Sequence, residues 1–181
     1  KEIWTYYVLA VPGGSANAQD SFTAYGDQTV TDTSTGLMWE QKTDNGDMND
    51  RSNVYNCDQA FKWIDMLNSA NFAGYSDWRL PNINEMITLI DPRQYPRINA
   101  YYFPNTMNNK YLSSTSYYDH LDDFWYLMFR DSETEAMVDR TFKYDADYYI
   151  RAVRGGQNQI SGHLTIVYPQ QGSKWPTGSE L

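Results

Sequence analysis

Apolar and polar positions change their spacing several times along the 181-residue chain, and each change marks an element. Residues 3–9 are a run of aromatic and β-branched types, which predicts a short strand. Residues 12–20 are mostly Gly, Ser, Asn and Ala, the composition of a loop. Val30-Thr31-Asp32 and Leu37-Met38-Trp39 flank Thr33-Ser34-Thr35-Gly36. Two apolar arms around a polar turn with glycine predict a β-hairpin. Residues 44–53 are polar and turn-rich and predict a solvated loop. Cys57, Ala60, Phe61, Ile64 and Leu67 then follow the spacing of one buried helix face. Asn56 is its N-cap, and Gln59 three residues later completes a capping-box arrangement. A second helix is predicted over 83–90, with Asn82 as cap and Glu85 at the third position. Met86, Ile87, Leu89 and Ile90 are its apolar surface, and Pro92 stops it.

After Tyr95 the texture changes. Pro96, Pro104 and several Asn residues predict a long irregular connection, followed by short β-like runs at 112–118, 124–129, 135–142 and 148–154 separated by Asp-rich loops. No solenoid repeat or heptad pattern is present. Strands, two helices, then strands argue an α+β fold with an antiparallel sheet. The chain divides into an N-terminal strand-and-loop extension at 1–25, a main domain at 26–156, and a linker plus strand at 157–181. Leu164 to Pro169, with Gly172, Trp175 and Gly178 beyond, is similar to the opening of bacterial extracellular immunoglobulin-like repeats. The alternative is a last strand of the main domain. The start at Lys1, without an initiator methionine or a cleavage motif, reads as a mature or trimmed product.

Charge narrows the function classes. Lys and Arg total 14 against 23 Asp and Glu, a net charge of -9, with a pI near 4.5. A phosphate-backbone binder needs the opposite sign, so nucleic acid is a poor partner, and an anionic membrane surface repels the chain on average. No apolar run approaches the roughly 20 residues that span a bilayer. One Cys excludes an internal disulfide and a Cys-rich zinc site. Aromatic residues reach 16%, with 16 Tyr and 6 Trp, a heavy load of flat amphipathic side chains.

Several segments fall in a specific order: Thr29-Val30-Thr31-Asp32, Thr35-Gly36-Leu37-Met38-Trp39, the helix at 60–67, and Gly74-Tyr75-Ser76-Asp77-Trp78-Arg79-Leu80-Pro81 with Asn84-Glu85-Met86. Phe103-Pro104-Asn105-Thr106, Ser113-Ser114-Thr115 and Tyr149-Ile150-Arg151-Ala152-Val153-Arg154-Gly155-Gly156 complete it. Together they resemble the C-terminal domain of the Legionella collagen-like protein (Lcl) family over about residues 26–156. The resemblance implies a C-type-lectin-like fold, related to formylglycine-generating enzymes, with two helices, a twisted antiparallel sheet and long irregular loops. It also implies a bacterial surface or secreted protein. The name-giving member is an adhesin whose terminal domain binds sulfated host glycosaminoglycans. This chain has no Gly-X-Y tract and is strongly acidic, so a polyanionic glycan would be repelled without a local basic patch.

Within that frame Trp39, Asp77, Trp78, Arg79, Glu85, Arg151 and Arg154 are read as structural. Trp78 has much apolar area to bury, and Arg79 can pair with Asp77 or Glu85. Arg151 and Arg154, three apart in a strand, face opposite sides. Asp44, Asp47, Asn49 and Asp50 pack oxygen side chains as calcium requires, though without an EF-hand pattern, and a solvated Asx-turn loop is the competing reading. Asp119, Asp122 and Asp123 around His120 form a second acidic cluster. Tyr117, Tyr118, Asp119, His120 and Trp125 combine stacking faces with polar groups, a mixture that suits carbohydrate or protein contact; of Trp125 and Tyr126, one must enter the core. Cys57 on a helix apolar face reads as a small buried hydrophobe, and the reactive cysteines and copper of the formylglycine-generating relatives have no counterpart here. No nucleophile elbow, phosphate loop or zinc-protease motif occurs. The expectation is a non-enzymatic extracellular recognition module that binds a glycan or a cell-surface protein, with calcium as its candidate cofactor. A structural or oligomerising module, in which the chain forms a homo-oligomer, is the alternative, and a remote enzyme on the formylglycine-generating scaffold is a third.

Overall fold

The computed structural model describes residues 21–129, 138–142 and 148–156. The strand predicted at 3–9, the segment 157–181 and the first half of the run at 135–142 lie outside the described residues. Seven strands and two helices follow in the order β1 (Phe22–Ala24), β2 (Thr29–Asp32), β3 (Leu37–Glu40), α1 (Cys57–Ser69), α2 (Ile83–Ile87), β4 (Lys110–Ser116), β5 (Asp123–Met128), β6 (Val138–Phe142) and β7 (Val153–Gly155). This is an α+β fold, with two antiparallel sheets where one was expected. One sheet runs β1-β2-β3-β7 and the other β4-β5-β6.

The predicted hairpin is β2–β3, in register from Thr29↔Glu40 to Asp32↔Leu37. Its turn is held by Asp32, whose carboxylate accepts from the Ser34 amide and from the Ser34 and Thr35 hydroxyls at 2.6–2.9 Å. Both helices carry complete capping boxes, Asn56 with Gln59 and Asn82 with Glu85, so two orphan amides at each N-terminus are satisfied by side chains.

Two helix expectations need correction. In α1 the buried face is Cys57, Ala60, Trp63, Ile64 and Leu67, while Phe61 is 46% exposed. Phe61 lies on the flank of that stripe. The helix is rotated toward Trp63, whose indole N–H donates to the Met48 carbonyl at 2.8 Å and whose ring lies under the Lys42 ammonium. In α2 regular helix stops at Ile87, which is exposed, and single turns carry Leu89 back into the core.

The larger correction concerns 148–154, read as one strand. Only Val153–Gly155 belongs to a sheet strand. Upstream, Tyr148 bridges Tyr55 and Tyr149 bridges Tyr111, while Val153 bridges both Trp39 and Arg79. The segment is a seam between the sheets. Ile150, Arg151, Ala152 and Val153 are all buried in succession, a pattern that requires cover on both faces.

Opposite faces of the three-stranded sheet meet separate cores. Tyr111, Leu127 and Val138 turn toward Val30, Leu37, Trp39, Met86, Leu89 and Phe103. Leu112 and Phe124 turn toward α1, Trp78 and Leu80. The period of two sends alternate side chains of β4 and β5 to the two cores.

The glycines that close the domain have a backbone reason. Gly155 has φ +70° and an added Cβ would stand 2.9 Å from the Gly36 carbonyl oxygen; Gly156 has φ +73° and a Cβ added there would run into the Leu37 side chain. Only glycine tolerates that approach in the left-handed region.

Candidate functional site

The β4–β5 hairpin ends in a tip at 117–122. The Tyr117 amide donates to the Asp123 carbonyl at 2.7 Å and the Asp123 amide to the His120 carbonyl at 2.8 Å, which folds the loop back on itself. On β5, Leu127 faces the core and Trp125, two residues nearer the tip, is half-buried. Tyr126, pointing the other way, is buried, so it is the tyrosine of that pair that enters the interior.

Tyr117 is the hub of the tip. Its ring stands edge-on to Trp125 at 5.6 Å, parallel to His120 at 6.4 Å and tilted against Tyr118 at 4.9 Å. Arg140 lies opposite Trp125 in the β5–β6 register and extends its guanidinium over the Tyr117 ring at 4.7 Å while donating to Asp123 at 2.9 Å. The hydrogen bond with Tyr118 is the first cause that holds the Tyr117 phenol above its ordinary pKa, with burial and the Tyr118 charge adding to it. Tyr118 is 85% exposed and Leu121 76%. Asp119 contacts His120 at 3.8 Å. The fold thus gathers Tyr117, Tyr118, His120 and Trp125 into one surface cluster, with Asp119 beside it. Arg140 and Leu121 belong to the same surface and were missed. Arg140 reaches it only through cross-strand register, which no local pattern encodes, whereas an apolar Leu121 inside an Asp-rich loop was a signal available in the sequence.

The loop at 44–53 is built differently. Its expected solvation is corrected by Asn49 and Asp50, which are buried. Asp50 accepts from the amides of Asn45, Gly46 and Ser52 and from the Ser52 hydroxyl, and these bonds, the Ser52 hydroxyl first, hold its carboxyl well below the usual range. Asp47 accepts from the Thr43 hydroxyl and the Asn49 amide, Asn49 donates to Gln28, and Asp44 pairs with Arg51 at the surface. The carboxylates read as calcium ligands are thus used by the loop's own donors, whereas the buried Asn49 Oδ1 has no hydrogen-bond partner. Among the described residues no group of three or more His, Cys, Asp or Glu is placed to hold a metal ion.

The residues read as structural occupy corners and interior. Trp39 and Trp78 are buried; the Trp78 indole donates to the Phe72 carbonyl at 3.0 Å. Arg79 makes a bidentate pair with Glu85 at 2.7 and 2.8 Å, and Arg154 takes Asp77 instead, at 2.7 Å, while stacking on Tyr75. Burial works to raise the Glu85 carboxyl and is outweighed by the Arg79 and Asn82 hydrogen bonds, which leave it lowered. The Asp77 carboxyl is lowered first by its hydrogen bond from Arg154.

Arg151 is 1% exposed. It donates to the Glu40 carbonyl at 2.6 Å and the Thr106 hydroxyl at 2.9 Å, with Phe103 and Tyr111 against its guanidinium. The Glu40 carboxylate pairs with Lys42 at 3.0 Å and accepts the Ala152 amide. Burial pushes the Lys42 amine down, with the Glu40 charge opposing. Cys57 is buried at the start of α1. Two shallow grooves, of about 270 and 290 Å³, are lined by α1 side chains around Trp63 and Met66 and by Thr35, Asn82, Glu85 and Gly156 with their neighbours; Cys57 lines neither. No helix among the described residues is long and apolar enough to cross a membrane.

Against known proteins, the family model described as the Lcl C-terminal domain matches residues 28–154. No curated protein and no solved structure matches the chain.

Proposed function

The chain belongs to the Lcl C-terminal domain family, and from that premise we propose that it is a non-enzymatic, extracellular bacterial recognition module on a lectin-like scaffold, with the β4–β5 tip as its carbohydrate-binding surface. The family is one of bacterial surface proteins. The observation that carries the reading is the Tyr117-centred cluster, with Tyr118 and Leu121 turned to solvent on a hairpin whose base is locked between two cores. Sugar rings present C–H faces that stack on aromatic rings, and their hydroxyls bond to groups such as Asp119 and His120. A rigid base holds those groups in place before a ligand arrives, which lowers the ordering cost of binding.

Glycan-array binding of the wild-type chain and of Tyr118→Ala, each with calcium and with a chelator, tests the proposal. Saturable binding to a saccharide set, lost in Tyr118→Ala, is expected. Absence of binding to any glycan overturns it. A second reading, an assembly module, is favoured by Val54, Phe61 and Met66, all exposed on or beside α1. A concentration-dependent oligomer in light scattering, abolished by Phe61→Ser with Met66→Ser, is its expected signature.

A further inference from the structure

Away from the tip, the loop at 44–53 holds the one Asn-Gly pair of the sequence, Asn45-Gly46. An asparagine carboxamide is open to attack at Cγ by the main-chain nitrogen of the residue that follows, and a Cβ on that residue ordinarily obstructs the approach. Gly46 has none; its φ is +77°, and a Cβ built on it would meet nothing within 4 Å. Both residues are exposed, so water reaches the carboxamide and ammonia is free to leave. The loop also sets the two reacting groups. Asn45 Oδ1 accepts from the Asp47 amide at 3.1 Å. A side chain that reaches the amide two residues on lies across the peptide between, with Cγ turned toward the Gly46 nitrogen. The Asp50 carboxylate accepts from the Asn45 and Gly46 amides at 2.8 and 2.6 Å, which fixes that stretch of main chain.

We propose that Asn45 is a self-modification site: in the folded protein its carboxamide is converted, with water as the only co-reactant, to aspartate and isoaspartate, and the loop speeds the step. The Gly46 nitrogen gives its proton to solvent and bonds to Asn45 Cγ. The bond from Cγ to the side-chain nitrogen breaks, and that nitrogen takes a proton from solvent and leaves as ammonia. Water then opens the cyclic imide. Attack at Cγ gives aspartate; attack at the main-chain carbonyl gives isoaspartate, in which the chain runs through the former side chain. The Asp47 amide donates to the oxygen that gains negative charge during ring closure, and holding nitrogen and carboxamide together replaces the search that a free chain must make. Isoaspartate lengthens the main chain by a methylene, which pulls the Gly46 and Asp47 amides away from their acceptors. The strain reaches the core through Met48, whose carbonyl takes the Trp63 indole N–H at 2.8 Å.

Incubation of the whole chain in mildly alkaline buffer, folded and in concentrated urea, followed by peptide mapping that separates aspartate from isoaspartate, tests this. Conversion at Asn45 ahead of every other asparagine is expected, about tenfold faster in the folded chain than in urea. Hydroxylamine, which cleaves a cyclic imide, is expected to split the folded chain between Asn45 and Gly46. Asn45→Gln, whose longer side chain needs a larger ring, is expected to give neither product nor fragment. Asp50→Asn leaves a single acceptor oxygen for the amides that Asp50 gathers and is expected to bring the folded rate down toward the rate in urea. Chain carrying isoaspartate at this position is expected to melt lower than the unmodified chain, and Asn45→Asp to melt with it. A folded rate no faster than the rate in urea, a rate unchanged in Asp50→Asn, earlier conversion at another asparagine, or no hydroxylamine fragment overturns the proposal. An unchanged melting temperature after conversion overturns the link to the core and leaves the site in place.

Discussion

Arg151 and Arg140 each lay a guanidinium against an aromatic ring, at 5.2 Å from Phe103 in one case and 4.7 Å from Tyr117 in the other; Arg151 also donates to the Glu40 main-chain carbonyl and Arg140 to the Asp123 carboxylate. Arg151 is 1% exposed and sits in the seam between the sheets. The Arg140 side chain is 46% exposed at the rim of the tip. The ring contacts are alike and the surroundings are not. In the seam, polar groups cut off from water turn to protein partners: Arg151 is tied to the Glu40 carbonyl and Thr106, and Lys42 to the Glu40 carboxylate, while the Arg151 Nε has no hydrogen-bond partner. At the rim, water competes for the same contacts and each is worth little. Groups held loosely by the protein are the ones a ligand can take over.

The sharpest way to break the comparison is Glu40→Ala. It removes the carboxylate between Lys42 and the Ala152 amide and strands a buried ammonium, for an expected loss of about 3–5 kcal/mol, read from the denaturation midpoint. A loss near that of a surface substitution would mean that the seam is hydrated and no different in kind from the rim.

Gly155→Ala comes next. A Cβ at φ +70° against the Gly36 carbonyl should cost about 1–3 kcal/mol, seen as a lower melting temperature with glycan binding at the tip unchanged. Acid titration follows. The Asp77 and Glu85 carboxyls are held below their ordinary values of 3.8 and 4.5. Their contribution is therefore complete above the unfolded values and is lost as pH falls through the lowered folded ones. Thermal stability should decline as pH drops from 4.5 toward and below 3.8, and Asp77→Asn should flatten part of that slope.

The smallest stability effects belong to the tip. Arg140→Ala should cost about 0–1 kcal/mol, and Tyr118→Ala should stay within about 0.5 kcal/mol while removing glycan binding. If Tyr118→Ala unfolds the domain, the tip is part of the scaffold and the contrast collapses.

Much of the scaffold was legible because its signals are short-range. Asn56 with Gln59 and Asn82 with Glu85 announce helix starts within four residues, and Thr33-Ser34-Thr35-Gly36 announces a turn. The aromatic tip was readable for the same reason: Tyr117, Tyr118, His120 and Trp125 lie within nine residues. Phe61 misled because helical spacing gives a stripe without its edges, and which flank is buried depends on what packs there, here Met48 and Lys42 on Trp63. The seam at 148–154 misled because a strand and a doubly covered irregular segment share the same apolar composition.

The amino-acid sequence by itself determined the helix caps, the β2–β3 turn and the contiguous aromatic tip, all of them set by neighbours along the chain. Tertiary structure alone decided that the strands divide into two sheets, that Lys42 and Arg151 are buried around Glu40, and that Arg140 stands over Tyr117. Those partners are separated by as many as 111 positions. Their meeting depends on strand register and core packing, and no local pattern of residue types specifies either.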